Sequence, residues 1–576
     1  MKALSPIWPI LICVVLTVTA WFLRVGFLSS MTDDWGALNY GGDPCHHYNI
    51  AWNIANGNGP VTDFIFSYWH RHAGLPALTD VYPPGVHYVL AAFLKIFGDG
   101  YGSARLGCLV FGSLAGIMIY FLSREFVGRG LACVTAAILV LNPVHLEHST
   151  IVMTPVVASF FVWLVLLVLL RYPARRFWAG VLAGGAHLCL SSLPAIGAGL
   201  LAFEVLKSRI EHTPPKVAFQ RIFAFFAGAG LILATWGIVT YFYFGKAFYS
   251  NFNYYPMTTC WSGMFYETAP PTLSTFIVSS GGITAIAGMY FDQFFRTAKL
   301  AYEHAIPLGA PAGGCFHVLN VIFLSLGTIR LVKKGGARVA LFFGFFLVML
   351  VILSLGSTGL GGRLQPRHVV VLIPFVVILW ALALDFIAQY FIKLAALRLS
   401  PSLMPYLPTA RRLALGVFLA SFAAEAWSWR ANFRTWERPN AEMQAFQHFW
   451  SSQATELKEA ARWIKTTTPE DAVFMYAFTP QDFWGETHRR VVVDPVYSGG
   501  RPPRAREEVV FYGVDFLVLD SSHSIYRRAP HPEDLSRSYP GLKLALAWKN
   551  DANTFTIYRI LKEDELGRLS ASKVGM

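Results

Sequence analysis

Ahead of a histidine pair the chain places an acid, in the stretch Gly42-Asp43-Pro44-Cys45-His46-His47-Tyr48. A carboxylate beside imidazoles can take the proton of a weakly acidic hydroxyl, or share a metal ion with them. The same residues have a structural use, since Asp accepts the free N–H groups of a first helical turn and Pro is tolerated there. Both readings stand on these residues. A second acid sits between histidines in His145-Leu146-Glu147-His148. Asp43, His46, His47, Glu147 and His148 together offer oxygen ligands that suit magnesium or manganese and imidazoles that suit zinc. Neither an HExxH pattern nor paired cysteines accompany them. A third set is cationic: Arg363 and Arg367 flank Leu364-Gln365-Pro366. A guanidinium grips phosphate oxygens bidentately and keeps its charge at any working pH. Its other use is to snorkel to lipid headgroups.

The elements that must position these groups are membrane helices. Of the 576 residues 55% are hydrophobic, 15% aromatic and only 14% charged, well below the charge of a soluble chain. The net charge of +13 is spread over short basic clusters between apolar runs, which is how cytoplasmic loops are marked, so nucleic acid is excluded as a partner. Of the seven cysteines, Cys13, Cys108, Cys133 and Cys189 lie in or beside apolar segments, which argues against a disulfide framework and leaves a Cys260–Cys315 pairing open.

Ile7 to Leu28 is long enough to span and has no small-residue cleavage site, so it is expected to be a retained helix. Lys2 then places the N-terminus inside and the Asp43 loop, residues 29–103, outside. Ile50, Trp52, Ile54 and Ala55 are expected on the apolar face of an interfacial helix ended by Asn56-Gly57-Asn58-Gly59. Val89–Phe97 is too short to cross and is expected at the surface. Spans follow at Ala104–Leu122, Leu131–Leu141, Ile151–Leu170, Phe177–Leu206 split at Ser191–Pro194, Ile222–Phe244, Phe316–Leu331, Val339–Leu355, Val369–Ile392 and Leu413–Trp427. That makes a polytopic α-helical protein of about eleven crossings. Glu147 then falls in the second outer loop, and Arg363 and Arg367 lie outside. Arginine there runs against the usual charge bias, which favours a functional role over a headgroup anchor.

From about Trp436 the composition becomes that of a soluble domain. Leu457, Ala461 and Ile464 share a helix face, and β-rich runs at Ala472–Tyr476, Val491–Val493, Phe516–Leu519 and Thr554–Tyr558 predict a small α/β domain outside the membrane. The expected domains are residues 1–435, membrane-embedded and including the first loop, and residues 436–576.

Gly42-Asp43, His47-Tyr48, Ala51…Ala55-Asn56-Gly57, Tyr82-Pro83-Pro84-Gly85 and Ala104-Arg105-Leu106, in that order, resemble the opening of the GT-C membrane glycosyltransferases related to protein O-mannosyltransferases and aminoarabinose transferases. Arg367 ahead of an apolar run with Pro374, then Trp463-Ile464, Thr468-Pro469, Asp471-Ala472-Val473 and Tyr512-Gly513-Val514-Asp515, extend the resemblance over nearly the whole chain. It implies transfer of a sugar from a polyprenyl-phosphate donor to a lipid, glycan or protein acceptor outside the cytoplasm, with inversion, in what would be a bacterial inner membrane. Asp43 matches the family acid that acts as base or holds a metal. The sequence departs from the family where Met153-Thr154 is followed by Pro155, so Glu147 is the expected substitute for the second acid. His46, His47, Tyr82 and His148 are expected along the substrate, and Arg363 and Arg367 at the donor phosphate. The rival class is a transporter or flippase, which calls for ionisable groups in mid-span and facing half-helices. Here most acids and arginines fall at the outer edge instead.

Overall fold

The computed structural model describes residues 7–30, 42–65, 70, 72–190, 193–251, 254, 257, 270–305, 314–336, 339, 342–356, 366–398, 456–476, 480–494, 502–520, 535–551 and 555–562. Two compact units emerge. The first comprises Met1–Met31, Tyr82–Tyr249 and Ile277–Trp436; the second comprises Thr32–Val81, Ser250–Phe276 and Glu437–Met576. The stretch around Asp43, with its helix α2 (Gly42–Ala55), therefore groups with the C-terminal residues, whereas the sequence places it with the membrane helices.

The first unit is helical, and its described helices run α1 (Ile7–Ser30), α3 (Gly85–Phe97), α4 (Tyr101–Arg124), α5 (Arg129–Leu141), α6 (Pro143–His148), α7 (Thr154–Arg171), α8 (Arg176–Leu190), α9 (Leu193–Ile210) and α10 (Pro215–Phe244), followed by Ile283–Ala305, Gly314–Lys334, Leu347–Gly356 and Ile373–Arg398. Among the described residues four helices are long and apolar enough to cross a membrane, or five if the pair Leu273–Ser279 and Ile283–Ala301, bent by 87°, counts as one span. Shorter apolar helices at Leu11–Gly26, Arg129–Leu141 and Gly344–Ser354 fall on other expected crossings, and Gly85–Phe97 on the stretch expected at the surface. The expected last span, Leu413–Trp427, lies outside the described residues.

Two expected spans begin irregularly: a π-helical turn, Phe342–Phe346, precedes Leu347–Gly356, and a 3₁₀ stretch, Pro366–Leu372, leads into Ile373–Arg398. The stretch expected as the second outer loop contains a helix. Asn142 accepts the His145 N–H through its side chain and Pro143 opens the turn, so α6 is capped by residues that look like a plain connection in the sequence. Close packing comes from glycines. A carbon added to Gly180 on α8 would collide with the Phe225 carbonyl, and one on Gly228 of α10 with that of Phe177. Gly180 and Gly184 have the small-xxx-small spacing that lets two backbones touch.

The second unit is an α/β layer. Its strands are β1 (Val61–Thr62), β2 (Phe64–Ile65), β3 (Ala77–Leu78), β4 (Val473–Tyr476), β5 (Arg490–Val493), β6 (Phe516–Asp520), β7 (Leu544–Lys549) and β8 (Phe555–Ile560). Six of them form one sheet in the order β2-β5-β4-β6-β8-β7, and β1 pairs with β3. β4 lies parallel to β5 and β6, while β8 runs antiparallel to both β6 and β7. β4 and β6 are buried along their length, which is why they read as unbroken apolar runs. The four β-rich runs expected from sequence all become strands, whereas β2 and β7 went unforeseen. β2 is a two-residue piece of the first outer loop that lies parallel to β5 with Phe64 opposite Val491. β7 is an edge strand with a mostly half-exposed pattern.

Candidate active site

Asp43 stands in the first turn of α2, where a negative charge is favoured by the helix dipole. The helix is buried on more faces than an interfacial helix would be. Ile50 and Ala55 are buried as expected and Trp52 and Ile54 are half-buried, but Ala51, His46, His47, Asn49 and Asn53 are covered too. The polar side has partners that the sequence does not announce. Asp63, just ahead of β2, accepts the side-chain amides of Asn49 and Asn53, each at 2.8 Å, and its own N–H donates to the Asn49 side-chain oxygen at 3.1 Å. Asn58 adds an amide to Asn53 at 2.9 Å. On another side Cys45 lies against Gly485, and Trp52 meets the Trp484 ring at 6.1 Å, on the helix Pro480–Thr487. Thus α2 is clamped by a sheet edge and by a C-terminal helix before any substrate arrives.

Around Asp43 the second unit gathers further polar groups. His46, edge-on to Phe64 at 4.7 Å, has its imidazole pushed down to about 4 by burial, against the opposing pull of the Asp43 and Asp80 carboxylates. It is neutral at physiological pH. Asp80 carries more than that influence. It holds His72 Nε2 at 3.3 Å and accepts the Asn251 amide at 2.9 Å, while the Asn251 N–H donates to the Asp80 carbonyl at 2.7 Å.

Glu147 and His148 belong to the first unit, on α6. Burial raises the Glu147 carboxyl to about 7, so near neutral pH it exchanges a proton readily. Its neighbour His145 is fully buried and accepts from the Arg24 guanidinium of α1, Nη2 to Nδ1 at 2.7 Å. Burial foremost, then Arg24 and His148, keep the His145 imidazole well below its ordinary range. Tyr82 lies in the turn before α3, its ring 6.4 Å from that of His87. Arg367 falls in the 3₁₀ stretch Pro366–Leu372; Arg363 lies outside the described residues, as does Cys260. The five metal candidates do not make one centre: among the described residues no group of three or more His, Cys, Asp and Glu side chains could hold a metal ion. Asp43, His46 and His47 stay with the second unit and Glu147 and His148 with the first, and His46 packs on an aromatic ring.

The family model for dolichyl-phosphate-mannose-protein mannosyltransferase matches residues 81–227, which contain Tyr82, Glu147 and His148. No curated protein sequence matches the chain. Among solved structures, the oligosaccharyltransferase AglB of Archaeoglobus fulgidus, in complex with an inhibitory peptide and a dolichol-phosphate, superimposes with a TM-score of 0.55 at 15% identity, over 97% of this chain and 74% of its own. ArnT of Cupriavidus metallidurans bound to undecaprenyl phosphate gives 0.54 at 13%, over 97% and 99%. The fold is that of the GT-C membrane glycosyltransferases. A further structure of the Archaeoglobus oligosaccharyltransferase, with zinc and sulfate, gives 0.53 at 15%, over 95% of this chain and 72% of its own.

Within this GT-C fold Arg24, Asp63, His72, Asp80 and Asn251 hold positions that motif reading passes over. Arg24 had a signal, since a lone arginine inside an apolar run marks a functional or paired site. Asp80 had a weaker one, as the acid next to Val81-Tyr82-Pro83-Pro84. Asp63 and Asn251 had none, because their partners are remote in sequence or lie on a helix whose polar face looked solvated.

Proposed function

We propose that the protein is a glycosyltransferase that moves a sugar from a polyprenyl-phosphate carrier to an extracytoplasmic lipid, glycan or protein acceptor. The observation that carries this reading is the GT-C fold along 97% of the chain, shared with one enzyme solved with dolichol-phosphate and another with undecaprenyl phosphate. In the proposed reaction Asp43 accepts the proton of the acceptor hydroxyl as its oxygen bonds to the anomeric carbon. The bond from that carbon to the phosphate oxygen breaks, and configuration inverts. Arg363 and Arg367 hold the negative charge left on the polyprenyl phosphate. Glu147 is the second acid, poised by burial, and His46, His47, Tyr82 and His148 line the substrate. The base reading requires no divalent metal ion. The proposed topology has about eleven crossings, with the Asp43 loop and residues 436–576 on the periplasmic face of a bacterial inner membrane.

The test is transfer from a purified polyprenyl-phosphate sugar by detergent-solubilised protein, with Asp43→Asn beside the wild type. Asn caps a helix as well as Asp, so a capping role leaves transfer intact. A catalytic carboxylate predicts folded protein with turnover lowered at least about a hundredfold. Wild-type turnover in folded Asp43→Asn removes the assignment.

A further inference from the structure

Asp80 has no place in the proposed reaction, yet it is the carboxylate on which the second unit converges. It is nearly buried and stands two residues beyond the end of β3, within the first outer loop. Three connections leave it. Its side chain engages His72 at 3.3 Å, within the same loop. Its side chain and backbone both engage Asn251, between the expected spans Ile222–Phe244 and Phe316–Leu331, at 2.9 and 2.7 Å, and the adjacent Ser250 hydroxyl donates to the Val81 carbonyl at 2.9 Å. Finally its charge bears, with that of Asp43, on the His46 imidazole one helical turn along α2. Asn251 is fully buried, and so nearly are His46 and His72.

A carboxylate this deeply placed costs several kcal/mol to desolvate unless its lone pairs are used. Here they are used to join two loops that are far apart in sequence. A cap or a loop tie alone would be served by an uncharged acceptor. A charged one also acts on the buried His46 imidazole, as Asp43 does.

We propose that Asp80 is a positioning residue for sugar transfer, tying Asn251 to the first outer loop, fixing His72 and acting through its charge on His46, so that the Asp43 carboxylate is presented to the acceptor hydroxyl. The proposal rests on the reading of Asp43 as the reacting carboxylate. Asp80 itself touches neither donor nor acceptor, so its effect falls on turnover and not on carrier binding.

A double-variant cycle tests it, with Asp80→Asn, Asp43→Asn and the pair assayed for kcat and for KM of the polyprenyl-phosphate sugar. Misplacement of a reacting group lowers turnover by about tenfold to a hundredfold, so Asp80→Asn should lose that much in kcat with KM within about twofold. Two changes acting through one group are not additive. The pair should therefore be no slower than Asp43→Asn alone. If Asp80→Asn turns over at the wild-type rate while Asp43→Asn does not, or if the two losses multiply, the positioning role is overturned and the base reading stands. If Asp43→Asn itself transfers at the wild-type rate, both fall. Should Asp80→Asn fail to give a monodisperse peak in detergent, Asn251→Ala leaves both carboxylates in place and takes its position in the same cycle, with the same expected outcomes.

Discussion

At the residue scale the chain pairs charges with surroundings that alter what those charges do. Glu147 is the clearest instance, its carboxyl raised by burial to about 7 from an ordinary value near 4.5. Between those values the folded protein retains a proton that the unfolded chain has released, so this group favours folding below the lower value and loses that contribution as pH rises through the higher one. Glu147→Gln lacks the effect. Thermal unfolding in detergent at several pH values should show the wild type losing stability relative to Glu147→Gln across that window, with the difference levelling off above about pH 7. A difference independent of pH would show an ordinary carboxyl. At Arg367, replacement by Ala should weaken donor use on the order of a hundredfold, since breaking a charge-assisted pair typically costs about 2–5 kcal/mol. Lys should restore only part, because an ammonium lacks the planar fork. Equal activity of Arg367→Ala, Arg367→Lys and wild type in the transfer assay would mark this arginine as a headgroup anchor.

Among the elements, α2 and the α8–α10 pair illustrate opposite means of fixing a helix. α2 is held by hydrogen bonds, chiefly the two amides that converge on Asp63. Asp63→Ala leaves the Asn49 and Asn53 side chains, both buried, without their charged acceptor, a loss of roughly 2–4 kcal/mol. The expected result is a lower unfolding temperature together with faster hydrogen exchange across residues 42–55. Exchange as slow as in the wild type would mean that the aromatic contacts with Trp484 suffice. The α8–α10 pair is held by shape. Gly180→Val places carbons where the Phe225 carbonyl lies, an overpacking that typically costs about 1–3 kcal/mol. In folded-yield chromatography Gly180→Val should fall well below Gly185→Val, because Gly185 has open space around its added carbon.

Across the whole molecule, the parallel pairing of β2 with β5 is the feature with the widest reach. A strand pair cannot straddle a membrane, so residues 64–65 and 490–493 share one side, and cysteine labels in the first loop and in the C-terminal sheet should react from the same face. Labelling of the two from opposite faces would contradict the sheet. The same pairing implies that a fragment 437–576 leaves β5 as an open edge and uncovers Trp484, and should aggregate unless residues 32–81 are supplied with it. By itself the sequence determined the features that local pattern imposes: apolar runs of spanning length, the charge bias between them, strands β4, β5, β6 and β8, and the acid and histidines of α2. Such features are legible along the chain because burial in lipid or in a sheet core imposes a repeat on neighbouring residues. Only the tertiary structure decided that residues 64–65 extend the C-terminal sheet, that Asp63 clamps α2, and that Asp80 joins His72 to the distant Asn251. The physical reason is that a two-residue edge strand carries no periodicity, and a buried carboxylate looks like a solvated one until the distant amides and imidazoles that satisfy it are brought to it by the fold.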